Sequence, residues 1–219
     1  MNSTVKTQNN DLAFFGKVNA SISHELKNIM AIISETAGLL NDLTEMATEG
    51  KKIEIEILKT CSNDIIEEIQ RGFVTIKQMN TFSHSVDDPF KEVNLIEVLN
   101  LMIAISGFLS YACKVRFDHP EEDELRVLTS PIRLQNLIYQ ALIFSFKSAG
   151  LGGEIQVFIH PEKKGSVRIT FSGLESLNAE TFPVDKTKQI AGSIGTEILV
   201  NQDSQRIEIL LPKAIEIMR

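Results

Sequence analysis

Tryptophan is absent from this 219-residue chain, and cysteine, tyrosine and proline are scarce, at two, two and six residues. Cys61 and Cys113 sit in apolar-rich contexts without metal-ligand spacing, so a disulfide framework and a thiolate metal site are both excluded and ordinary thiols remain. No run is long enough for a membrane span. The most apolar stretch, Leu95 to Ala112, is broken by Glu97, Asn100, Ser106 and Ser110. The N-terminus lacks a charged-then-apolar leader, which argues against secretion. Positive charge is also short, with 22 basic against 29 acidic residues and a net charge of −7. Neither a nucleic acid nor a membrane surface is therefore favoured as partner. The expectation is a soluble cytoplasmic protein of one or two domains. At 43% hydrophobic residues it has ample material for real cores.

Apolar periodicity organises the first third. Between Leu12 and Leu43, Phe15, Val18, Ile22, Leu26, Ile29, Ile33, Ala37 and Leu40 recur at steps of three and four, the stripe of one long amphipathic helix. A polar turn at Thr48-Glu49-Gly50-Lys51 follows, then a second helical pattern from Ile53 to about Ser83. Its apolar positions, Ile55, Leu58, Ile65, Ile69, Phe73, Ile76 and Met79, predict a hairpin with the first helix. A lone hairpin of this length leaves a stripe wet, so two copies forming a four-helix bundle are expected.

Within the first helix lies Ser21-Ile-Ser-His24-Glu25-Leu-Lys-Asn28. At about 100° per residue, His24 falls roughly 190° from the centre of the stripe and faces solvent. Ala20 and Ala31 lie on the same outward face and leave flat ground around the ring. Asn28 is one turn on, within reach of whatever His24 holds. Glu25 is placed at the flank, to accept a hydrogen bond from the ring or to orient it. A phosphoryl acceptor needs a neutral imidazole with one free nitrogen, and these neighbours suit that chemistry. The plain alternative for Lys27 is a solvated lysine, and for His24 alone a surface histidine.

The octet resembles the phosphoacceptor box of two-component sensor histidine kinases, on the first helix of their dimerisation and phosphotransfer domain. Most relatives with this box carry proline after the asparagine, whereas Ile29 stands here. Only a short polar stretch precedes the helix, which leaves no room for a sensor domain.

Ser83 to Val93, with Pro89, reads as the domain boundary, separating a helical hairpin domain at 1–86 from a second domain at 92–219. Asn94 is placed to cap a helix from Leu95 to about Tyr111. Strands are expected at Cys113–Phe117 and Leu125–Leu128. Ser130-Pro131 opens a helix running to about Ser148, closed by Gly150. A strand pair, Glu154–His160 and Ser166–Phe171, turns around Lys163-Lys164-Gly165. A short helix at Asp185–Ala191 and strands at Thr196–Val200 and Arg206–Leu211 complete it. Helices on one face of a mixed sheet make an α/β sandwich, so the whole chain is read as α+β.

That order, from Asn94 to about Pro212, resembles the Bergerat-type ATP-binding domain of histidine kinases. The stretch Arg133 to Ala149 carries the likeness best. The resemblance implies two asparagines one turn apart, the second holding magnesium on ATP; here they read Asn136 and Gln140. The basic residue one turn on is Ile143. In place of Asp-x-Gly-x-Gly stands Phe171-Ser-Gly-Leu-Glu175, and a phenyl ring cannot accept the adenine amine. Glu175 to Ile190 stands where a mobile lid belongs and contains no glycine. Gly192 and Gly195 lead into a strand, not into the helix start that cradles phosphate. The domain is thus a degenerate ATPase-like one, and ATP binding is not expected.

An intact histidine box beside a damaged nucleotide site is similar to the dimeric histidine phosphotransferases of bacterial phosphorelays. The resemblance implies that His24 accepts phosphate from response-regulator receiver domains, which bring their own Mg²⁺, and passes it on. Glu25 would orient the ring. Lys27, with Ala20 and Ala31, would form the docking ground. Two other readings use the same residues: Glu25-x-x-Asn28 as a phosphatase acting on a receiver, or a pseudokinase that only binds. His84, His119 and His160 read as ordinary loop or surface residues, and the acidic run Glu121 to Glu124 as a solvated loop.

Overall fold

The computed structural model describes residues 3–108, 113–118, 125–162 and 165–212, with side chains from residue 8 onward. Helices α1 (Ser3–Thr48) and α2 (Ile55–Ser83) come first, followed by a 3₁₀ turn at His84–Val86. Next come β1 (Lys91–Asn94), α3 (Leu95–Gly107), β2 (Lys114–Asp118), β3 (Arg126–Thr129) and α4 (Pro131–Ala149). The chain continues through β4 (Glu154–Pro161), β5 (Val167–Ser172), α5 (Asp185–Ser193), β6 (Glu197–Asn201) and β7 (Arg206–Leu211). Among the described residues no helix is long and apolar enough to cross a membrane. Tyr111, His119, the acidic run and Lys163-Lys164 lie outside the described residues.

Two compact units result: residues 17–83, and the described residues up to Gly16 together with those from His84 onward. In the first, α1 and α2 run as a hairpin through a turn closed by the Gly50 amide on the Ala47 carbonyl and the Lys51 amide on the Met46 carbonyl. Its buried positions are Val18, Ile22, Glu25 and Ile29 on α1, with Cys61, Thr75 and Phe82 on α2. Gly72 faces Ile29 across the seam, where a Cβ would make an ordinary 3.7 Å contact with Ile29 Cγ2.

The second unit has a five-stranded sheet in the order β2-β4-β5-β7-β6, parallel between β2 and β4 and antiparallel elsewhere, and a separate β1-β3 ribbon. Its core follows the two-residue period of strands. Ile155, Val157 and Ile159 on β4, Val167, Ile169 and Phe171 on β5, and Ile207, Ile209 and Leu211 on β7 are buried, while their neighbours are less so. Helices α3, α4 and α5 pack against one another and against β4, β5 and β6. Asn94 caps α3 as expected, its side-chain oxygen accepting from the Ile96 amide at 3.1 Å. Pro131 opens α4, whose end is marked by Gly150 at φ +72°. Strand β1 was not expected. It lies in the stretch read as a linker, and its pairing with β3 is invisible from local pattern.

The segment up to Gly16 departs from the reading that assigned it to the hairpin domain. Leu12, expected in the stripe, is 71% exposed, and Phe14 is buried in its place. The Phe14 ring meets Tyr139 of α4 at 5.4 Å between centroids, tilted by 60°. Asp11 Oδ2 accepts from Arg133 Nε at 3.2 Å. These contacts count α1's first turns with the second unit. Burial also pushes the Tyr139 hydroxyl up to about 12.

Burial raises the Asp11 carboxyl above its ordinary 3.8, and Arg133 and Lys186 offset this only in part. A raised folded-state value favours the protonated form of the fold. The contribution is therefore fully present below about 3.8 and is lost as pH rises through the folded value. We expect the stability of the wild type relative to Asp11→Asn to improve as pH falls from neutrality toward 4. Urea midpoints of both proteins across that range check this, and the opposite slope would contradict it.

Candidate functional site

The seam of the hairpin decides where the histidine points. Val18, Ile22, Glu25 and Ile29 turn inward at steps of four, three and four, which leaves His24, Asn28 and Lys27 exposed. Ala20 and Ala31 are exposed as well, so the small-residue surround lies on the outer face as expected. The Asn28 side-chain nitrogen is 3.3 Å from His24 Nδ1. Turned by half a rotation, the same amide presents Oδ1 at this position. In that orientation Nδ1–H donates to Asn28, and the Nε2 lone pair is free toward solvent. With the amide nitrogen on Nδ1 instead, a neutral ring carries its proton on Nε2 and cannot act as a nucleophile there.

Glu25 does not flank the ring. Its carboxylate is buried in the seam, where Arg71 Nη2 of α2 donates to Oε1. Arg71 Nη1 also donates to both oxygens of Glu68, each at 3.2 Å. Thr75 Oγ1 closes on the Arg71 carbonyl at 2.9 Å. The physical reason is periodicity: three residues after Ile22 and four before Ile29 is a seam position, whatever its polarity. A buried carboxylate then needs a cation from the facing helix. Sequence reasoning missed Arg71, although α2 offers only Lys59, Arg71 and Lys77 as cations.

Among the described residues the remaining histidines and thiols add no second site. His84 Nδ1 pairs with Asp87 Oδ2 at 2.7 Å, a partner the sequence reading did not foresee, and both side chains are exposed. His160 is exposed beside Phe158. Cys61 and Cys113 are free and buried, and Cys113 Sγ donates to the Gly150 carbonyl at 3.0 Å.

In the second unit Asn136, Gln140 and Phe144 succeed one another at one-turn spacing on α4. Asn136 is fully buried, and its Oδ1 accepts from Gln140 Nε2 at 3.3 Å. Phe171 is fully buried in β5, opposite Val157 and Ile207. Gly192 lies in the last turn of α5, and Gly195 at φ +61° leads into β6. A helix ends here where a phosphate cradle would need one to begin. No carboxylate stands at 171, where Phe171 is buried, and the Gln140 amide is bonded to Asn136.

No protein-family model matches the chain, and no curated protein matches it. Solved structures similar to it include the catalytic domain of histidine kinase ThkA, at 17% identity over 58% of this chain and 99% of that one, with a TM-score of 0.48. The Acinetobacter baumannii histidine kinase AdeS is similar at 10% identity over 87% of this chain and 98% of that one, with a TM-score of 0.46. ThkA in complex with response regulator protein TrrA is similar at 18% identity over 95% of this chain and 64% of that one, with a TM-score of 0.47.

Truncating Arg71 to alanine strands a buried carboxylate, and we expect a stability loss of about 1–3 kcal/mol. Replacing Glu25 and Arg71 together by leucine should recover most of it, because an apolar pair leaves no charge unpaired. Urea denaturation of Arg71→Ala, of Glu25→Leu and Arg71→Leu singly, and of the double leucine variant checks this. Strictly additive losses would show that the pair is not coupled.

Proposed function

We propose that the chain is a histidine phosphotransferase that relays phosphoryl groups between response-regulator receiver domains through His24. The observation that carries this is the exposed His24 ring with Nδ1 against the Asn28 amide, while the neighbouring carboxylate is engaged in the seam. An aspartyl phosphate on a receiver presents its phosphorus to Nε2. The Nε2 lone pair forms the N–P bond as the P–O bond breaks, and the electron pair leaves with the receiver's aspartate. A Mg²⁺ ion held by the receiver would supply the charge that offsets that carboxylate. The reverse step, with a second receiver's aspartate as nucleophile, discharges the phosphohistidine. Such transition states are loose, so positioning carries most of the catalysis.

Each other residue has a part in this reading. Asn28 fixes the tautomer, and Glu25 acts as a positioning residue by tying α1 to Arg71 of α2. Ala20 and Ala31 leave room for the receiver, and Lys27 meets its acidic surface. ATP has no step here, because the α4 face does not fit it. Ile66, Ile69, Phe73 and Ile76 form an exposed apolar ridge on α2. A second copy covering that ridge would complete a four-helix bundle and present two histidines. The unit from His84 onward would serve as a surface that selects the receiver.

A second reading shares the exposed Asn28. An amide one turn from the histidine can align water on a receiver's aspartyl phosphate, which makes the protein a phosphatase. The two separate on substitution. Radiolabelled phospho-receivers are mixed with the protein and the label is followed. Transfer predicts acid-labile, base-stable label on the protein, lost in His24→Ala by at least about 100-fold, the scale of losing a nucleophile. Label released as free phosphate, insensitive to His24→Ala but lost in Asn28→Ala, selects the phosphatase. Label that stays on the receivers in every case leaves a binding module and defeats both.

A further inference from the structure

The α4 face that bears Asn136, Gln140 and Phe144 is occupied from within its own unit. Phe182 lies on Phe144 with ring centroids 4.6 Å apart and planes 14° from parallel. Only 4% of Phe182 is exposed. This near-parallel arrangement is how a planar aromatic ligand sits on a ring. Ile143 and Phe144 offer no hydrogen-bonding group to an occupant. The Phe144 end of the face, where Phe182 lies, therefore suits an apolar arene, while the Asn136 and Gln140 amides bond to each other further along α4.

The segment that delivers the ring, residues 173–184, has no helix or strand, yet it is held along its length. At its start Gly173 adopts φ +82°, and a Cβ there would fall 2.1 Å from the Glu154 carbonyl oxygen, so only glycine fits. The amides of Glu175 and Ser176 both donate to the Ser148 carbonyl near the end of α4, at 2.9 and 3.2 Å. The Leu177 amide donates to Gln205 Oε1 at 2.8 Å, and its carbonyl accepts from Gln202 Nε2 at 3.4 Å. Leu174 and Leu177 are buried alongside Phe182. Three apolar anchors and four hydrogen bonds to neighbouring elements are features of a fixed strap, not of a loop that opens to admit a ligand.

We propose that this is a self-occupied aromatic site: Phe182 is its resident ligand, and residues 173–184 are the strap that keeps it in place. The shape of the unit is then set without any small molecule. Removing the ring leaves a cavity that takes a small apolar arene. Nothing in this depends on His24, so a failed phosphotransfer assay and a failed strap are separate results.

The test uses the full chain and Phe182→Ala. Deleting the ring should lower Tm by roughly 10 °C, the scale of an unfilled phenylalanine site in a chain of this size. Hydrogen exchange followed by mass spectrometry should show residues 174–182 protected in the wild type and deprotected in the variant, with α2 unchanged. Benzene at millimolar concentration should raise the variant's Tm by a few degrees and leave the wild type unmoved. ATP with Mg²⁺ should shift neither protein. If Phe182→Ala does not fold, Phe182→Leu keeps most of the apolar volume and should show the same local deprotection with a smaller Tm loss. Wild-type residues 174–182 exchanging at free-chain rates, or being slowed by ATP with Mg²⁺, would overturn the proposal. So would a variant that loses neither stability nor local protection, or one whose Tm benzene does not raise.

Discussion

A helix has one period, and burying Val18, Ile22, Glu25 and Ile29 on a single side of α1 leaves His24 no direction but outward. Every property of the candidate site depends on this constraint. Asn28 can meet the ring because i and i+4 share a face, and Ala20 and Ala31 keep that face low. Glu25 occupies the seam because it falls between Ile22 and Ile29, and Arg71 supplies the charge that such a position demands. An apolar pair in the same place would cost less desolvation. The ion pair instead ties α1 to one particular level of α2, next to the Gly72–Ile29 contact.

The second unit is governed by a different economy. Here Phe171 is fully buried between strands, in line with Val167 and Ile169. A carboxylate at this position would be buried without a partner, which costs several kcal/mol. Gln140 is likewise engaged within its own unit, its amide bonded to fully buried Asn136. The sheet and α4 are held by their own buried apolar positions.

Much of this was legible in the sequence where the signal is local. Helical periodicity located α1 and α2, Ser130-Pro131 and Gly150 bracketed α4, and Asn94 capped α3. The bounds of β7 match residue for residue. What escaped depends on distant partners. Strand β1 has four residues with only Val93 buried, and it exists because β3 lies opposite. Phe14, not Leu12, turns inward because Tyr139 is there to meet it. Glu25 was placed beside His24 by adjacency along the chain, although the two side chains diverge by about 100°. Arg71 and Phe182 carried no motif at all. Each acquires its role from a residue 46 or 38 positions away, Glu25 and Phe144 respectively.

If His24 serves the relay proposed above, it meets a demand that a strong catalyst of one direction would not. Phosphate must arrive and leave with comparable ease, so the phosphohistidine cannot be held much more tightly than the aspartyl phosphates on either side of it. A guanidinium fixed against the phosphoryl oxygens would trap the group, because charge-assisted bidentate bonds are the strong ones. Arg71 is the one arginine in residues 17–83. Its guanidinium is committed to Glu25 and Glu68. The ring keeps one neutral hydrogen-bond partner, Asn28, which orients it without pulling on the phosphate. On the relay reading, the metal ion and the charge that drive each transfer come with the receiver. The hairpin's part is then to hold an exposed imidazole still.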